Sequence, residues 1–247
     1  MTLCFRLILS WSLLLLAMPA SAENAAVKQP TGLELVRVKG GCFLQGSAKG
    51  ASNEQPLHEV CLTDYYIGRY EVTQRDWQDV MGFNPARFKA CGDNCPVDSV
   101  SWSDTREFIS RLNSVTGRKF RLPTEAEWEF ACRERGKDSS YCGGDNIEAV
   151  AWQRHNSAKV PHPVGLKQPN GLGIFDMSGN VWEWVLDWSG PYPSTHQNDP
   201  KGTMSGSTRV RRGGSWMYDF EKARAAWRSS GYSDDRAMDI GFRLAHP

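Results

Sequence analysis

Between Asn170 and Trp188 the chain reads NGLGIFDMSGNVWEWVLDW, and this stretch restricts the possible folds more than any other. Gly171, Gly173 and Gly179 give the backbone the freedom that tight turns need. Trp182, Trp184 and Trp188 bring large apolar area into the same few residues. No helix or strand period runs through the whole stretch, so it reads as a loop held rigid by buried aromatics. Asp176 and Glu183 stand on either side of the Ser178-Gly179-Asn180 turn. Two carboxylates so placed can converge on one hard cation together with turn carbonyls, since calcium takes several oxygen ligands in flexible geometry. They can equally cap turns and accept backbone N–H bonds, as turns rich in Asp, Asn and Gly ordinarily do.

Residues 1–22 carry one basic residue, Arg6, then an apolar run from Leu7 to Ala17 and the small-residue ending Ala20-Ser21-Ala22. This is the pattern of an export signal cleaved before Glu23. The run is too short for a membrane span and nothing later approaches the required length, so no membrane anchor is expected. Cys4 precedes the apolar run, which argues against a lipid-modified cysteine at the mature N-terminus. The expected destination is the periplasm or the exterior. Residues 23–247 lie within the reach of one large domain, and no repeat, low-complexity tract or linker marks a second. There are 29 Lys and Arg against 28 Asp and Glu, with Arg6 inside the leader. That balance gives no electrostatic case for nucleic acid or an anionic membrane as partner. Arg209, Arg211 and Arg212 form one short basic cluster, expected to be solvated or internally paired.

With Cys4 in the leader, Cys42, Cys61, Cys91, Cys95, Cys132 and Cys142 remain, and an even count in an exported chain favours disulfides. Short loops suggest Cys91 with Cys95 and Cys132 with Cys142, while Cys42 and Cys61 fall on two expected partner strands. Zinc competes, but the spacings are not two C-x-x-C knuckles and no histidine sits beside the cysteines.

From Leu33 to Phe43 apolar and polar residues alternate as in a half-buried strand, and Val60 to Tyr70 behaves similarly across a polar loop, Gly46 to Leu57. Thr73 opens a helix, with Asp76 at the capping-box position, Trp77, Val80 and Met81 on one face and Gly82 as the stop. Ser101 opens a second, with Asp104 in the box, Thr105, Phe108, Ile109 and Leu112 inward, and Gly117 ending it. Thr124 opens a third, where Glu127 completes the box and Trp128 and Ala131 point inward. All three read as short amphipathic helices. Beyond Cys142 helical periodicity fades, and long ordered loops packed by tryptophan are expected.

Read in order, GGCFLQGS (40–47), EQPLHEV (54–60), YEVTQ (70–74), PVDSVSW (96–102), RLPTEAEWEFACR (121–133), FDMSGNVWEW (175–184), RRGGSW (211–216) and GFRLA (241–245) resemble the sulfatase-modifying factor, or formylglycine-generating enzyme, family. The resemblance covers essentially the whole of residues 23–247. It implies an α+β, C-type-lectin-like fold with a small antiparallel sheet, few short helices and extensive irregular loops. It also implies a structural calcium, because calcium-bearing members supply a side chain, two carbonyls and a Glu from positions that here are Asp176, Gly179, Val181 and Glu183. A second calcium site of the family has no clear counterpart in Ala149 to Val164.

The resemblance breaks at the chemistry. Members that oxidise a substrate cysteine to formylglycine hold copper on two cysteines just after the motif matching RGGSW, and thiolates are the soft ligands Cu(I) prefers. Here Tyr218 stands at the first of those positions and no cysteine follows Cys142. A phenol does not replace a thiolate, so neither copper nor the oxidase activity is expected. His58, His155, His162, His196 and His246 show no facial-triad spacing; His58 is expected to make a structural hydrogen bond, and His155 and His162 to be exposed. No nucleophile-elbow signature is present. The expected function is an exported, monomeric binding or accessory and maturation module whose loops present a groove to a protein, peptide or glycan. The alternatives are a tailoring oxidoreductase of an exported protein or secondary metabolite, and a formylglycine-generating oxidase.

Overall fold

The computed structural model describes residues 33–247 together with the short strand Val27–Lys28. The export signal read in residues 1–22 lies outside the described residues. Two four-stranded sheets frame the interior. The first orders Val27–Lys28, Glu34–Val38, Tyr65–Gly68 and Ala245–His246, all antiparallel. The second orders Ser229–Gly231, Arg209–Arg212, Trp182–Trp188 and Ile240–Phe242, the last pair parallel. A three-stranded sheet joins Gly41–Gln45, His58–Leu62 and Gln197–Asn198, and a two-stranded one joins Ala151–Trp152 to Ser178–Gly179.

The strand expected from Leu33 to Phe43 is two strands in different sheets. Gly40 makes the break: its backbone lies so close to the neighbouring strand that a Cβ would sit 2.3 Å from the Leu62 carbonyl oxygen. Nor is Glu34–Val38 merely half-buried. Leu35 belongs to one core cluster with Trp77, Phe108 and Phe242, while Val36 and Val38 belong to another with Trp128 and Phe130. Successive residues point to opposite faces of a strand, so this one separates two cores.

Helices α1 (Gln74–Met81), α2 (Trp102–Thr116) and α3 (Glu125–Cys132) begin where the capping signals place them. Thr73, Ser101 and Thr124 each accept from the N–H three residues on, and Asp76, Asp104 and Glu127 accept in return from the cap residue. Gly82 and Gly117, at φ of 83° and 67°, close α1 and α2 in the left-handed conformation. The third helix departs from expectation, because all of its residues are buried. It is a core helix, not an amphipathic one, and it carries Glu125, Glu127 and Glu129 inside with it.

Beyond Cys142 the expected loops give way at Trp182–Trp188, the longest strand among the described residues. Trp182, Glu183, Trp184, Val185 and Asp187 are all buried. A strand covered on both faces loses the two-residue alternation by which strands are recognised, so its sequence reads as a rigid loop. Disulfides join Cys42 to Cys61, Cys91 to Cys95 and Cys132 to Cys142, the expected pairs. Cys42 and Cys61 are register partners on adjacent strands.

Where the two large sheets meet, Glu183 and Arg243 form an ion pair with both side chains wholly buried. The Glu183 oxygens accept from Arg243 Nη2 and Nε at 2.6 Å each, and Oε2 also accepts from Trp128 Nε1 at 2.7 Å. Arg243 further donates to the carbonyls of Gly68 and Phe175, both at 2.9 Å. One guanidinium thus ties the central strand of the second sheet to a strand of the first and to the glycine-rich segment. Arg243→Met strands a buried carboxylate and is expected to cost about 3–5 kcal/mol, read from chemical denaturation. Adding Glu183→Gln to it should recover part of that loss. An Arg243→Met protein as stable as the parent would show that the pair does not hold the sheets together.

Candidate functional site

The turn through Asp176, Gly179 and Asn180 is built on left-handed backbone, with φ of 57°, 81° and 56°. A Cβ at Gly179 would lie 2.2 Å from the Trp152 carbonyl oxygen, so the close pairing with Ala151–Trp152 requires glycine. Asp176 is buried; its Oδ2 accepts from the Gly165 N–H at 2.7 Å, and its Oδ1 has no hydrogen-bond partner. Burial pushes the Asp176 carboxyl up to about 6, against the pull of the Gly165 N–H and Arg243 and with a push from Glu183. Glu183, by contrast, already has both oxygens engaged by Arg243 and Trp128.

A third acid, Glu71, joins this group without having been singled out in the sequence. It accepts from Asn180 Nδ2 at 2.6 Å and from the Val181 N–H at 3.0 Å. Burial, then the Asp176 and Glu183 charges, hold it well above the usual carboxylate range. Of the two acids expected to hold a cation, one therefore offers an open oxygen and the other serves an internal guanidinium. Among the described residues, no cluster of three or more His, Cys, Asp or Glu side chains is arranged to hold a metal.

Tyr218 is half-buried and meets the Trp182 ring edge-on, with centroids 5.9 Å apart. Its neighbour Trp216 is buried against Phe88, and Ser215 Oγ donates to Asp239 Oδ2 at 2.7 Å. Tyr218 is thus part of an aromatic contact beside a hydrogen-bonded turn. His155 is exposed as expected. His162 is not: it stacks on Trp152 at 3.7 Å, with Nε2 2.9 Å from the Ser157 carbonyl.

The acids of α3 are met by arginines from far along the chain. Glu125 accepts from Arg228 Nε and Nη2 at 2.6 and 2.7 Å, from Arg212 Nη1 at 3.1 Å and from the Tyr192 hydroxyl at 3.2 Å. Glu129 accepts from Arg212 Nη2 at 2.7 Å and from Arg133 Nε at 2.9 Å. Such forked, charge-assisted bonds are the strong class. The basic cluster of the sequence is thus internally engaged: Arg212 is fully buried, and Arg209 lies over the rings of Trp102 and Trp188.

Beside this network opens a cleft of about 330 Å³, with Gln45, His58, Asp187, Tyr192 and Arg228 on its walls. Asp187 is buried, and its Oδ2 accepts from the Glu125 N–H at 2.8 Å. Burial, followed by the Glu125 charge, pushes its carboxyl up to about 8. A strongly shifted acid in a cleft marks a candidate site. Its sequence signal is weak: Asp187 is one of two acids, with Glu183, in an otherwise apolar strand, and none of its neighbours in the cleft adjoins it in sequence except Trp188.

Residues 20–247 match the model of the sulfatase-modifying factor enzyme 1-like domain. A formylglycine-generating enzyme of Streptomyces coelicolor is 30% identical, over 92% of this chain and 94% of that protein. The chaperone protein LppX of Paenibacillus barcinonensis is also 30% identical, over 85% and 88%. Among solved structures, Treponema denticola variable protein 1 superposes with a TM-score of 0.81 at 30% identity, over 87% of this chain and 95% of that one. With two large sheets, few helices, the motifs in family order and this match over nearly its whole length, the chain belongs to the sulfatase-modifying factor family and has its mixed α/β, C-type-lectin-like fold.

Proposed function

We propose that this protein is an exported binding or accessory module on the formylglycine-generating-enzyme scaffold, without the oxidase chemistry of the family. The state of its sulfur carries this reading. Every cysteine among the described residues is tied into a disulfide, and Tyr218 fills the first copper position while packing on Trp182. Among the described residues no thiolate is left for Cu(I), and a phenol is a poor soft ligand. An accessory role is in keeping with a relative of similar length that is named a chaperone. Three disulfides favour an oxidising compartment. No helix of the described residues is long and apolar enough to cross a membrane.

Calcium enters the proposal as a structural ion at Asp176. The unpartnered, buried Oδ1 is an oxygen that a cation would satisfy, and the family resemblance supplies the Gly179 and Val181 carbonyls. Glu183 contributes charge, since Arg243 holds its oxygens. Calcium is expected to raise the melting temperature of chelator-treated protein, as linkage requires, and Asp176→Asn to abolish that rise. Because a proton competes for the same carboxylate, the effect should fade as pH falls below about 6. An undiminished response in Asp176→Asn would remove the ion from this turn.

The oxidase reading has its own measurement. Incubated with copper, oxygen, reductant and a sulfatase-type cysteine peptide, the protein is expected to yield no formylglycine by mass spectrometry above a no-enzyme blank. The Streptomyces coelicolor enzyme serves as the working control. Turnover by this chain would overturn the proposal.

A further inference from the structure

We propose that the cleft beside α3 is a binding site for a primary ammonium group on an alkyl chain about the size of a lysine side chain. This rests on reading the protein as a binding module and names the chemistry of its ligand. The argument begins with unused hydrogen-bonding capacity. His58 Nδ1 lies 3.0 Å from the Pro56 carbonyl oxygen. A carbonyl only accepts, so Nδ1 carries the proton and Nε2 is left as an acceptor. The Tyr192 hydroxyl donates to Glu125 and therefore accepts from Gln45 Nε2, at 3.3 Å. That orients the amide and leaves Gln45 Oε1 unused. Asp187 Oδ2 takes the Glu125 N–H, while no donor among the described residues bonds Oδ1.

Once Asp187 has given up its proton, three open acceptors are gathered around two residues. The His58 ring packs on the Tyr192 ring at 4.8 Å, the Tyr192 hydroxyl holds Gln45, and the backbone of Glu125 holds Asp187. The strong donors on the same wall are already used. Arg228 gives Nε and Nη2 to Glu125 and Nη1 to the carbonyls of Asn53 and Gly190, and Thr203 Oγ1 donates to the Ser205 carbonyl. A wall of acceptors without spare cationic donors disfavours an anion and suits a group with several N–H donors and no acceptor. An ammonium, with three donors, is such a group. Pro191, Pro193 and Pro200 supply the apolar lining for an alkyl stem, and about 330 Å³ is at the small end of ligand sites.

Charge supports the same ligand. Asp187 faces Glu125 and Glu127 from α3, Arg209 from the second sheet and Arg228, with His58 across the cleft. Arg228 is neutralised by Glu125, and Arg209 is sandwiched between two tryptophans. Near neutral pH the Asp187 carboxyl holds a proton. An arriving ammonium replaces that proton, which leaves to solvent, so the net charge of the cleft is conserved.

Calorimetric titration of the purified protein with n-butylammonium, Nα-acetyl-lysine amide and neutral 1-butanol tests the site. The expected result is saturable binding of n-butylammonium and none of 1-butanol. At pH 6.5, comparison of buffers should show release of about one proton per ligand. Affinity should then rise about tenfold per pH unit and level off above about pH 8. Binding of the lysine amide as well assigns the site to side chains; binding of the alkylamine alone assigns it to free amines. Asp187→Asn should weaken binding at least tenfold, and Gln45→Met severalfold in protein that still unfolds cooperatively. Equal binding of 1-butanol, absence of ammonium binding, or full binding by Asp187→Asn would overturn the proposal. Neither copper nor turnover enters these measurements, so a failure here leaves the oxidase question where the turnover assay puts it.

Discussion

Carboxylates taken out of water without a partner would unfold this molecule, and the interior is arranged so that each one in the core helix meets a guanidinium. Desolvating a carboxylate costs several kcal/mol, recovered only where geometry is good and the remaining lone pairs are bonded. Arginine meets that demand better than lysine, because its planar fork engages both oxygens at once. Arg243 on Glu183 and Arg228 on Glu125 are of this kind, while Arg212 bridges Glu125 to Glu129 with one nitrogen on each. Helix α3 can therefore lie fully buried while carrying three acids. Asp187, lacking such a partner on Oδ1, instead keeps its proton near neutral pH.

What was legible in the sequence was local. The three capping boxes and the two terminal glycines set α1, α2 and α3 because the groups involved lie within a turn of one another. The disulfides closed by short loops were legible for a similar reason. What was hidden depends on distant partners. Nothing near Glu125 announces that it will be buried, since Arg228 is more than a hundred residues away. The strand Trp182–Trp188 hid its period because both faces are covered. Among the positions expected to hold calcium, nothing around Glu183 announces Arg243, which lies sixty residues further along the chain. Tyr192, Gln45 and Asp187 come from separate elements, so no local pattern could have grouped them.

The motifs that establish the family are largely the motifs that make the ion pairs. Glu183 lies in FDMSGNVWEW and Arg243 in GFRLA; Glu125 and Glu129 lie in RLPTEAEWEFACR and Arg212 in RRGGSW. Resemblance carried by such residues speaks for the scaffold and is silent on the reaction, which is why fold alone does not license function. Tyr218 lies two residues past the end of RRGGSW and packs on Trp182, an aromatic contact that the frame closes around.

Arg243 also sets an order of events. The strands that complete both large sheets, Ile240–Phe242 and Ala245–His246, flank it, and until that segment has been synthesised Glu183 lacks this counter-ion and each large sheet lacks one edge strand. Chains are made from the N-terminus, so this pair can form only after every strand of both sheets except Ala245–His246 has been made. Assembly of the core waits on contacts of long sequence separation, the kind that slow folding most.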